Sequence, residues 1–281
     1  MSRMPMPVNS TTGNKEPAPP GRPYILTEIE DLMRKPSLNL RAIAQLVGQD
    51  EELSEVFLRI VNSSYYGLQT KIESAEQAIP LLGLQQTLNI VRAESLKRVT
   101  GGDHMALAHR RMSERAQGIA DLCECIAGFY LPEYISPDLA LLAGQFHDCG
   151  VAVLMQHYPD YCASLNVHGN HKLPNILEED LRIGINHCEI GYRLAKDWKL
   201  PNRVCLAIRY HHDLSRADED TRGYVAALQM AMHLYNQRIH QDDWEWGHTR
   251  DAVMDELEIA PDGLEEFERS VHEVWRERNG G

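Results

Sequence analysis

The sequence predicts an all-α protein, and three observations support this fold class. Apolar residues recur at helical spacing along most of the chain, as at Ile43, Leu46 and Val47. Signals that start and stop helices stand where this spacing needs them, for example Asp50 before a helix and Gly83 after one. The period-two alternation that is typical of strands is not sustained.

The first hundred residues contain a polar tail followed by a series of predicted helices. Residues 1–22 are rich in Pro, Ser, Thr and Asn and poor in large apolar groups, so we expect them to be disordered. Residues 62–67 break the helical pattern. Ser74 and Gln77 form a capping box for the next helix, and Gly83 is placed to end it.

The rest of the chain is predicted to form further helices. Ser136 and Pro137 mark a helix start, and this helix is expected to carry His147 and Asp148 toward Gly150. Later helices are predicted at about residues 188–198, 202–212, 222–238 and 265–278.

The composition is that of an ordinary globular protein, and it excludes some functions. The net charge of -13 disfavours binding to nucleic acid, because an acidic surface repels phosphate backbones. No apolar run approaches the ~18 residues of a membrane span, and the N-terminus lacks a signal-peptide pattern. We therefore expect a cytoplasmic protein without membrane attachment. Residues 236–281 hold 13 acidic and 5 basic residues, which predicts a helical end with an acidic, solvated face.

Six cysteines are present, and none forms a C-x-x-C pair. Most of them have apolar, helix-like surroundings. We interpret them as small buried hydrophobic residues rather than as disulfide or zinc-thiolate sites.

Five residues with metal-binding side chains lie on separate predicted helices. They are His147, Asp148, His187, His211 and His212. His and Asp bind divalent metals, and a helical bundle can direct such groups into one pocket. The same residues also fit a metal-free polar cluster that fixes helix register, because buried polar groups need hydrogen-bond partners. Spacing and composition leave both interpretations open and favour the metal-free one.

Several dispersed motifs resemble those of HDOD domains, in the family's order, over about residues 23–238. The segment 62–67 resembles the family's NS-x-x-Y/F-G turn, and the segment 146–150 resembles its LHDIG motif. Residues 187–191 are similar to the H-x-E-x-G motif. The other matching segments are 49–53, 78–84, 198–201 and 207–212.

The resemblance implies an HD-domain-like helical bundle with an N-terminal helical subdomain, related to HD and HD-GYP phosphohydrolases. It implies two helical halves at residues 23–100 and 101–238, followed by an acidic helical extension at 239–281. HDOD proteins are generally regarded as output or scaffolding modules of bacterial signal transduction, without hydrolase activity. We therefore expect a regulatory module that acts by protein–protein interaction with signalling proteins.

The resemblance also implies a degenerate form of the HD metal site. The five residues named above match family ligands for a divalent metal such as Fe, Mn or Zn. The family's earlier His, however, aligns with Met112, which cannot replace imidazole on a hard divalent ion, and His109 lies one turn away. The family's final Asp should fall near residues 231–233 and is absent there.

Two other functions stay open. The chain is a metal-dependent phosphohydrolase of a nucleotide or cyclic dinucleotide if the five residues hold active metal. Arg182, Arg193 and Arg209 are then the candidates for binding phosphate. The chain is instead a metal- or ligand-binding sensor without turnover if a single ion locks its two subdomains together.

Overall fold

The structure, a computed structural model, is helical as predicted. It describes residues 17–37, 39–62, 68, 70–100, 106–129, 135–158, 161 and 175–279, and it contains no strand in these ranges. In chain order the helices are α1 (Tyr24–Met33), α2 (Leu40–Gly48), α3 (Glu51–Val61), α4 (Ala75–Thr100), α5 (Ala106–Phe129), α6 (Pro137–Phe146), α7 (Cys149–His157), α8 (Ile176–Arg182), α9 (His187–Asp197), α10 (Asn202–Tyr210), α11 (Glu219–Arg238), α12 (Trp246–Glu256) and α13 (Leu264–Asn279).

The chain divides into two compact units. One contains residues 21–99 and 262–281, and the other contains residues 100–261 with the N-terminal residues up to Pro20. The predicted acidic extension at 239–281 is thus divided between them, since α12 belongs to the second unit and α13 to the first. Most of the predicted tail at 1–22 lies outside the described residues.

Polar side chains begin two helices of the first unit. Asp50 caps α3 as predicted, because its Oδ1 accepts a hydrogen bond from Leu53 N at 3.0 Å. Asn39 caps α2 in the same way, through Ala42 N. Arg98 of α4 donates to Asp50 at 2.8 Å, and this hydrogen bond holds the pKa of the Asp50 carboxyl below its usual value.

Gly83 interrupts α4 at the predicted position. Its φ of 78° and ψ of 171° are not helical, and a positive φ is a conformation that glycine adopts without steric cost. The predicted capping pair also forms: Gln77 N lies 3.4 Å from Ser74 Oγ, while the Gln77 side chain accepts from Glu73 N at 3.0 Å. The element Ala75–Thr100 therefore consists of two helical segments joined at Gly83.

Asn62 connects the end of α3 to the chain beyond the predicted break. Its Nδ2 donates to the carbonyl oxygens of Leu58 and Ile72, each at 2.8 Å, and its Oδ1 accepts from Ile72 N at 2.8 Å. Residues 63–67 of the predicted turn lie outside the described residues. The side chain of Asn62 thus fixes the two ends of that segment.

Helices pack closely in the second unit. α5 packs on α6 and α11, and α9 packs on α7 and α10. A Cβ on Gly144 of α6 would lie 2.5 Å from the Cα of Ala120 in α5, so the two backbones touch. Trp198 is fully buried, meets Phe146 edge to face, and donates through Nε1 to the Pro20 carbonyl at 3.2 Å.

The stretch Pro137–His157 is long and apolar enough to cross a membrane by length and composition. However, 72% of its apolar window is buried inside the protein, as in a core segment of a folded protein.

The expectation of one helix through His147 and Asp148 is wrong. α6 ends at Phe146, these two residues form a turn, and α7 begins at Cys149.

α7 and α9 approach each other at two glycines. A Cβ on Gly150 would lie 1.9 Å from the carbonyl oxygen of His187, and a Cβ on Gly191 would lie 3.3 Å from Gly150 N. No side chain fits between the helices at this point. The glycines of both predicted motifs therefore permit direct contact between two backbones.

The described cysteines are buried and form no disulfide with one another, in agreement with their interpretation as small core residues. They are Cys123, Cys125, Cys149, Cys188 and Cys205. Cys162 lies outside the described residues.

Candidate functional site

His147 and Asp148 are positioned by the turn between α6 and α7. The Nδ1 of His147 lies 2.7 Å from the carbonyl oxygen of Gly144, one of the last carbonyls of α6, which have no intrahelical donor. The ring thereby supplies the hydrogen bond that a backbone N–H of a further helical turn would otherwise donate to this carbonyl. This hydrogen bond and the close packing of Gly150 explain why the helix breaks here.

His187 stands at the first position of α9, where Asn186 caps the helix by accepting from Glu189 N. The buried Glu179 of α8 accepts from His187 twice, from the backbone N at 2.8 Å and from the ring Nδ1 at 2.7 Å. The hydroxyl of Tyr161 donates to the other oxygen of Glu179. Glu179, which Tyr161 and the His187 backbone hold in place, therefore fixes the orientation of the His187 ring.

His211 and His212 follow the last residue of α10. The Nδ1 of His211 lies 2.7 Å from the carbonyl oxygen of Ile208, and the Nδ1 of His212 lies 2.7 Å from Oε2 of Glu245. Gln229 of α11 holds the local backbone by donating to the carbonyl of His211 at 2.9 Å. Both rings are thus anchored from outside the cluster.

The structure brings together all five residues predicted to form a site. The Nε2 of His187 lies 3.4 Å from that of His211 and 3.2 Å from that of His212. Oδ1 of Asp148 lies 3.8 Å from His187 Nε2 and 3.7 Å from His211 Nε2. The His147 Nε2 lies 3.1 Å from Asp148 Oδ2, although the angle does not make a hydrogen bond. All five side chains are at most 9% exposed and belong to one unit.

The four imidazoles share one hydrogen-bonding pattern. In each ring Nδ1 faces a carbonyl or carboxylate oxygen at 2.7 Å, and such an oxygen can only accept. Nδ1 therefore carries a proton in each ring, and Nε2 is the nitrogen that points inward. Metal-binding histidines have this arrangement, because the outer hydrogen bond fixes the tautomer and the ring orientation. With the buried His147 Nε2 lacking a hydrogen-bond partner, the donor set fits a divalent cation.

Burial and neighbouring charges shift the pKa values within the cluster. Burial lowers the pKa of His147, which keeps this ring neutral. Burial alone would raise the pKa of Asp148, but His147, His211 and His187 hold it well below the ordinary value. Burial would likewise raise the pKa of the Cys188 thiol, yet His187 and His211 hold it well below its usual range.

Arg115 is the α5 side chain that reaches Asp148. Its Nε lies 3.9 Å from Asp148 Oδ2, and its Nη1 donates to Asn236 Oδ1 at 2.7 Å. Arg115 and Asn236 each lie about one helical turn beyond Met112 and residues 231–233, the positions aligned with the missing family ligands. The side chain of His109 lies outside the described residues. His233 instead forms an ion-pair contact of 2.9 Å with Asp243.

Two of the arginines proposed to bind phosphate are engaged elsewhere. Arg193 and Arg209 both lie within ion-pair distance of Glu189, at 3.2 and 2.9 Å. Arg209 also stacks over the ring of Tyr192. Both guanidinium groups are therefore already paired with the Glu189 carboxylate.

Sequence reasoning missed four residues that complete the site: Glu179, Glu245, Arg115 and Asn236. The first two hold histidine rings, Arg115 lies beside Asp148, and Asn236 accepts a hydrogen bond from Arg115. A buried carboxylate among exposed ones has no local sequence signal, since Glu179 follows the similar but exposed Glu178.

The fold and the site together define the class of protein: a helical, HD-like bundle that buries a cluster of His and Asp side chains. The family model of the HDOD domain matches residues 20–214, so the chain belongs to the HDOD domain family.

Individual proteins and solved structures also resemble this chain. An uncharacterized protein of Treponema pallidum (strain Nichols) is 28% identical over 223 residues, which are 75% of this chain and 41% of that protein. The chain thus matches less than half the length of this relative. A structure from Marinobacter aquaeolei VT8, provisionally described as a signal transduction protein, has a TM-score of 0.67 at 22% identity, covering 93% of this chain and 58% of its own. One from Shewanella amazonensis SB2B, provisionally described as a metal-dependent phosphohydrolase, has a TM-score of 0.62 at 16% identity, covering 87% and 86%. These likenesses concern the fold.

Proposed function

We propose that this chain is a regulatory module of bacterial signal transduction that acts in the cytoplasm by binding signalling proteins. In this proposal its HD-type site no longer works as a two-metal phosphohydrolase centre. The observation that carries the proposal is the guanidinium group of Arg115 beside Asp148.

Arg115 places a permanent positive charge where a second metal ion would need the carboxylate. A two-metal hydrolase holds its ions about 3.5–4 Å apart, shared between several ligands. The Arg115 Nε lies 3.9 Å from Asp148 Oδ2, and Arg115 as a whole is only 9% exposed. The buried guanidinium therefore competes with a metal ion for that carboxylate. Burial lowers the pKa of Arg115, but a guanidinium stays protonated in proteins.

A second candidate function is hydrolysis of a phosphate ester in a nucleotide or cyclic dinucleotide. The inward Nε2 atoms of the four histidines favour it. His147, Asp148, His187, His211 and His212 would then hold the metal, which on binding supplies an activated water and polarises a phosphoryl oxygen. In this chain the anchors Glu179 and Glu245 would orient the ligands.

One assay separates the two functions. Protein loaded in turn with Fe, Mn and Zn is incubated with a nitrophenyl phosphodiester and with cyclic dinucleotides, and product is measured. We expect no turnover above that of the His187→Ala variant. Metal-dependent turnover that His187→Ala abolishes would overturn the regulatory proposal in favour of the hydrolase.

A partner test complements this assay. A signalling protein cross-linked to the wild-type chain in cells should also be recovered with His187→Ala, provided that the variant is folded by circular dichroism. Loss of the same cross-link in a folded His187→Ala variant would instead connect the cluster to partner binding.

A further inference from the structure

Cys188 lies next to the imidazole cluster, and the proposed function gives it no role. Its Sγ is 3.5 Å from His187 Nε2 and 3.7 Å from His211 Nδ1, and the residue is 4% exposed. One donor atom from each of His187, Cys188, His211 and His212 falls within 4.8 Å of the others. The sequence predicted only a small core residue at this position.

The three nearest imidazoles present an electrostatic problem. Their Nδ1 atoms donate to Glu179, to the Ile208 carbonyl and to Glu245, so their Nε2 atoms face the cluster. The Nε2 of His187 lies 3.2 Å from that of His212 and 3.4 Å from that of His211. Buried polar atoms this close need a proton or a cation between them. A metal ion bound to all three Nε2 atoms meets this need.

Three of the six distances among the four donor atoms match a tetrahedral zinc site. Zn–N bonds of about 2.0–2.1 Å and a Zn–S bond of about 2.3 Å in a tetrahedron place the nitrogens about 3.3 Å apart and sulfur about 3.6 Å from nitrogen. The observed N–N distances are 3.2 and 3.4 Å, and the observed S–N distance to His187 Nε2 is 3.5 Å.

Asp148 fits the fourth ligand position less well than Cys188. A Zn–O bond of about 2.1 Å would place its oxygen about 3.4 Å from each nitrogen. The observed distances are 3.8 and 3.7 Å. The carboxylate also already lies beside Arg115, whose positive charge compensates its own.

We propose that His187, Cys188, His211 and His212 form a closed, four-ligand zinc site with one thiolate and three imidazole ligands. Thiolate and imidazole together select zinc over the hard divalent ions that prefer carboxylate oxygen. Because all four positions of the tetrahedron are protein ligands, the site has no open position for water or substrate, and zinc acts structurally. This inference does not depend on the proposed regulatory function.

The test uses the intact chain, purified without chelator and then reconstituted with Zn²⁺ or Co²⁺. We expect one zinc per chain by elemental analysis, and removal of zinc should lower the melting temperature. The Co²⁺ form should show the sulfur-to-cobalt charge-transfer band in the near ultraviolet, which requires a bound thiolate.

Variants identify the ligand. Cys188→Ser should lose the charge-transfer band, while Asp148→Asn should keep both band and stoichiometry. The matched control is Cys205→Ser, because this buried Sγ contacts the Leu200 carbonyl at 3.5 Å, which a serine hydroxyl can also reach. If Cys188→Ser does not fold, the band in the wild-type Co²⁺ form decides by itself.

Three results would overturn the proposal. They are a wild-type chain that binds neither ion, a bound Co²⁺ without the sulfur band, and a folded Asp148→Asn variant that loses the metal. None of them bears on partner binding, so the zinc site and the proposed regulatory function can fail separately.

Discussion

Replacing Gly150 by alanine should strongly destabilise the unit that contains residues 100–261. The new Cβ would lie 1.9 Å from the carbonyl oxygen of His187 and 2.8 Å from Gly191 N, both backbone atoms that cannot rotate away. A methyl group needs about 3.5 Å, so α7 and α9 must separate by about 1.5 Å. Overpacking usually costs about 1–3 kcal/mol and sometimes more. With backbone on both sides we expect at least about 3 kcal/mol.

Thermal unfolding followed by circular dichroism measures this effect. A loss of about 3 kcal/mol corresponds to a drop in melting temperature of about 6–12 °C for a domain of this size. The control is Gly247→Ala in α12, where a Cβ meets no atom within 4 Å. That change should leave stability equal or raise it by up to about 1 kcal/mol, because alanine is favoured in helices. An unchanged melting temperature in Gly150→Ala would refute the direct contact of α7 with α9.

Three further predictions concern other parts of the molecule. Asp50→Ala should lower the free energy of unfolding by about 1–2 kcal/mol through loss of the α3 cap, whereas Asp50→Asn keeps the cap and loses only the pairing with Arg98. The pairing lowers the folded pKa of Asp50 below its unfolded value of 3.8. It therefore stabilises the protein above pH 3.8, and this stabilisation is lost as the pH falls through the folded pKa. The free energies of unfolding of wild type and Asp50→Asn should consequently converge in acid. Asn62→Ala should cost about 1–3 kcal/mol in urea unfolding, because it removes both hydrogen bonds to Ile72; equal stability would mean that water replaces the amide. Glu245→Ala should weaken zinc binding by about 10–100-fold in a chelator competition, because His212 loses the acceptor that orients it; unchanged affinity would show that the ring needs no anchor.

Local signals in the sequence predicted much of the helical architecture. The cap at Asp50, the capping pair of Ser74 and Gln77, and the break at Gly83 depend on residues only a few positions apart, and all three occur in the structure. The turn at His147 could not be predicted in this way. It depends on the ring of His147 and on the contact between Gly150 and α9, which joins segments about forty residues apart.

The sequence predicted the candidate ligands of the site but not the residues that hydrogen-bond to them and orient them. Motif resemblance located the four histidines and Asp148, because their spacing is local and their chemistry distinctive. Glu179 and Glu245 act only through the rings they hold, and Arg115 reaches Asp148 from another helix. Such partners are specified by tertiary packing, so the sequence around each of them looks like an ordinary solvated helix.

The division of the chain into units has a consequence for the order of events during biosynthesis. The unit built on residues 21–99 is completed by α13, which reaches it only after residues 100–261 have been made. At a translation rate of about 5–20 residues per second, the intervening segment of roughly 160 residues takes about 8–30 s to emerge. During that interval, α1 to α4 lack the apolar face of α13, in which Val271 and Phe267 are buried in the finished protein. This unit therefore cannot complete its core until the rest of the chain has been made.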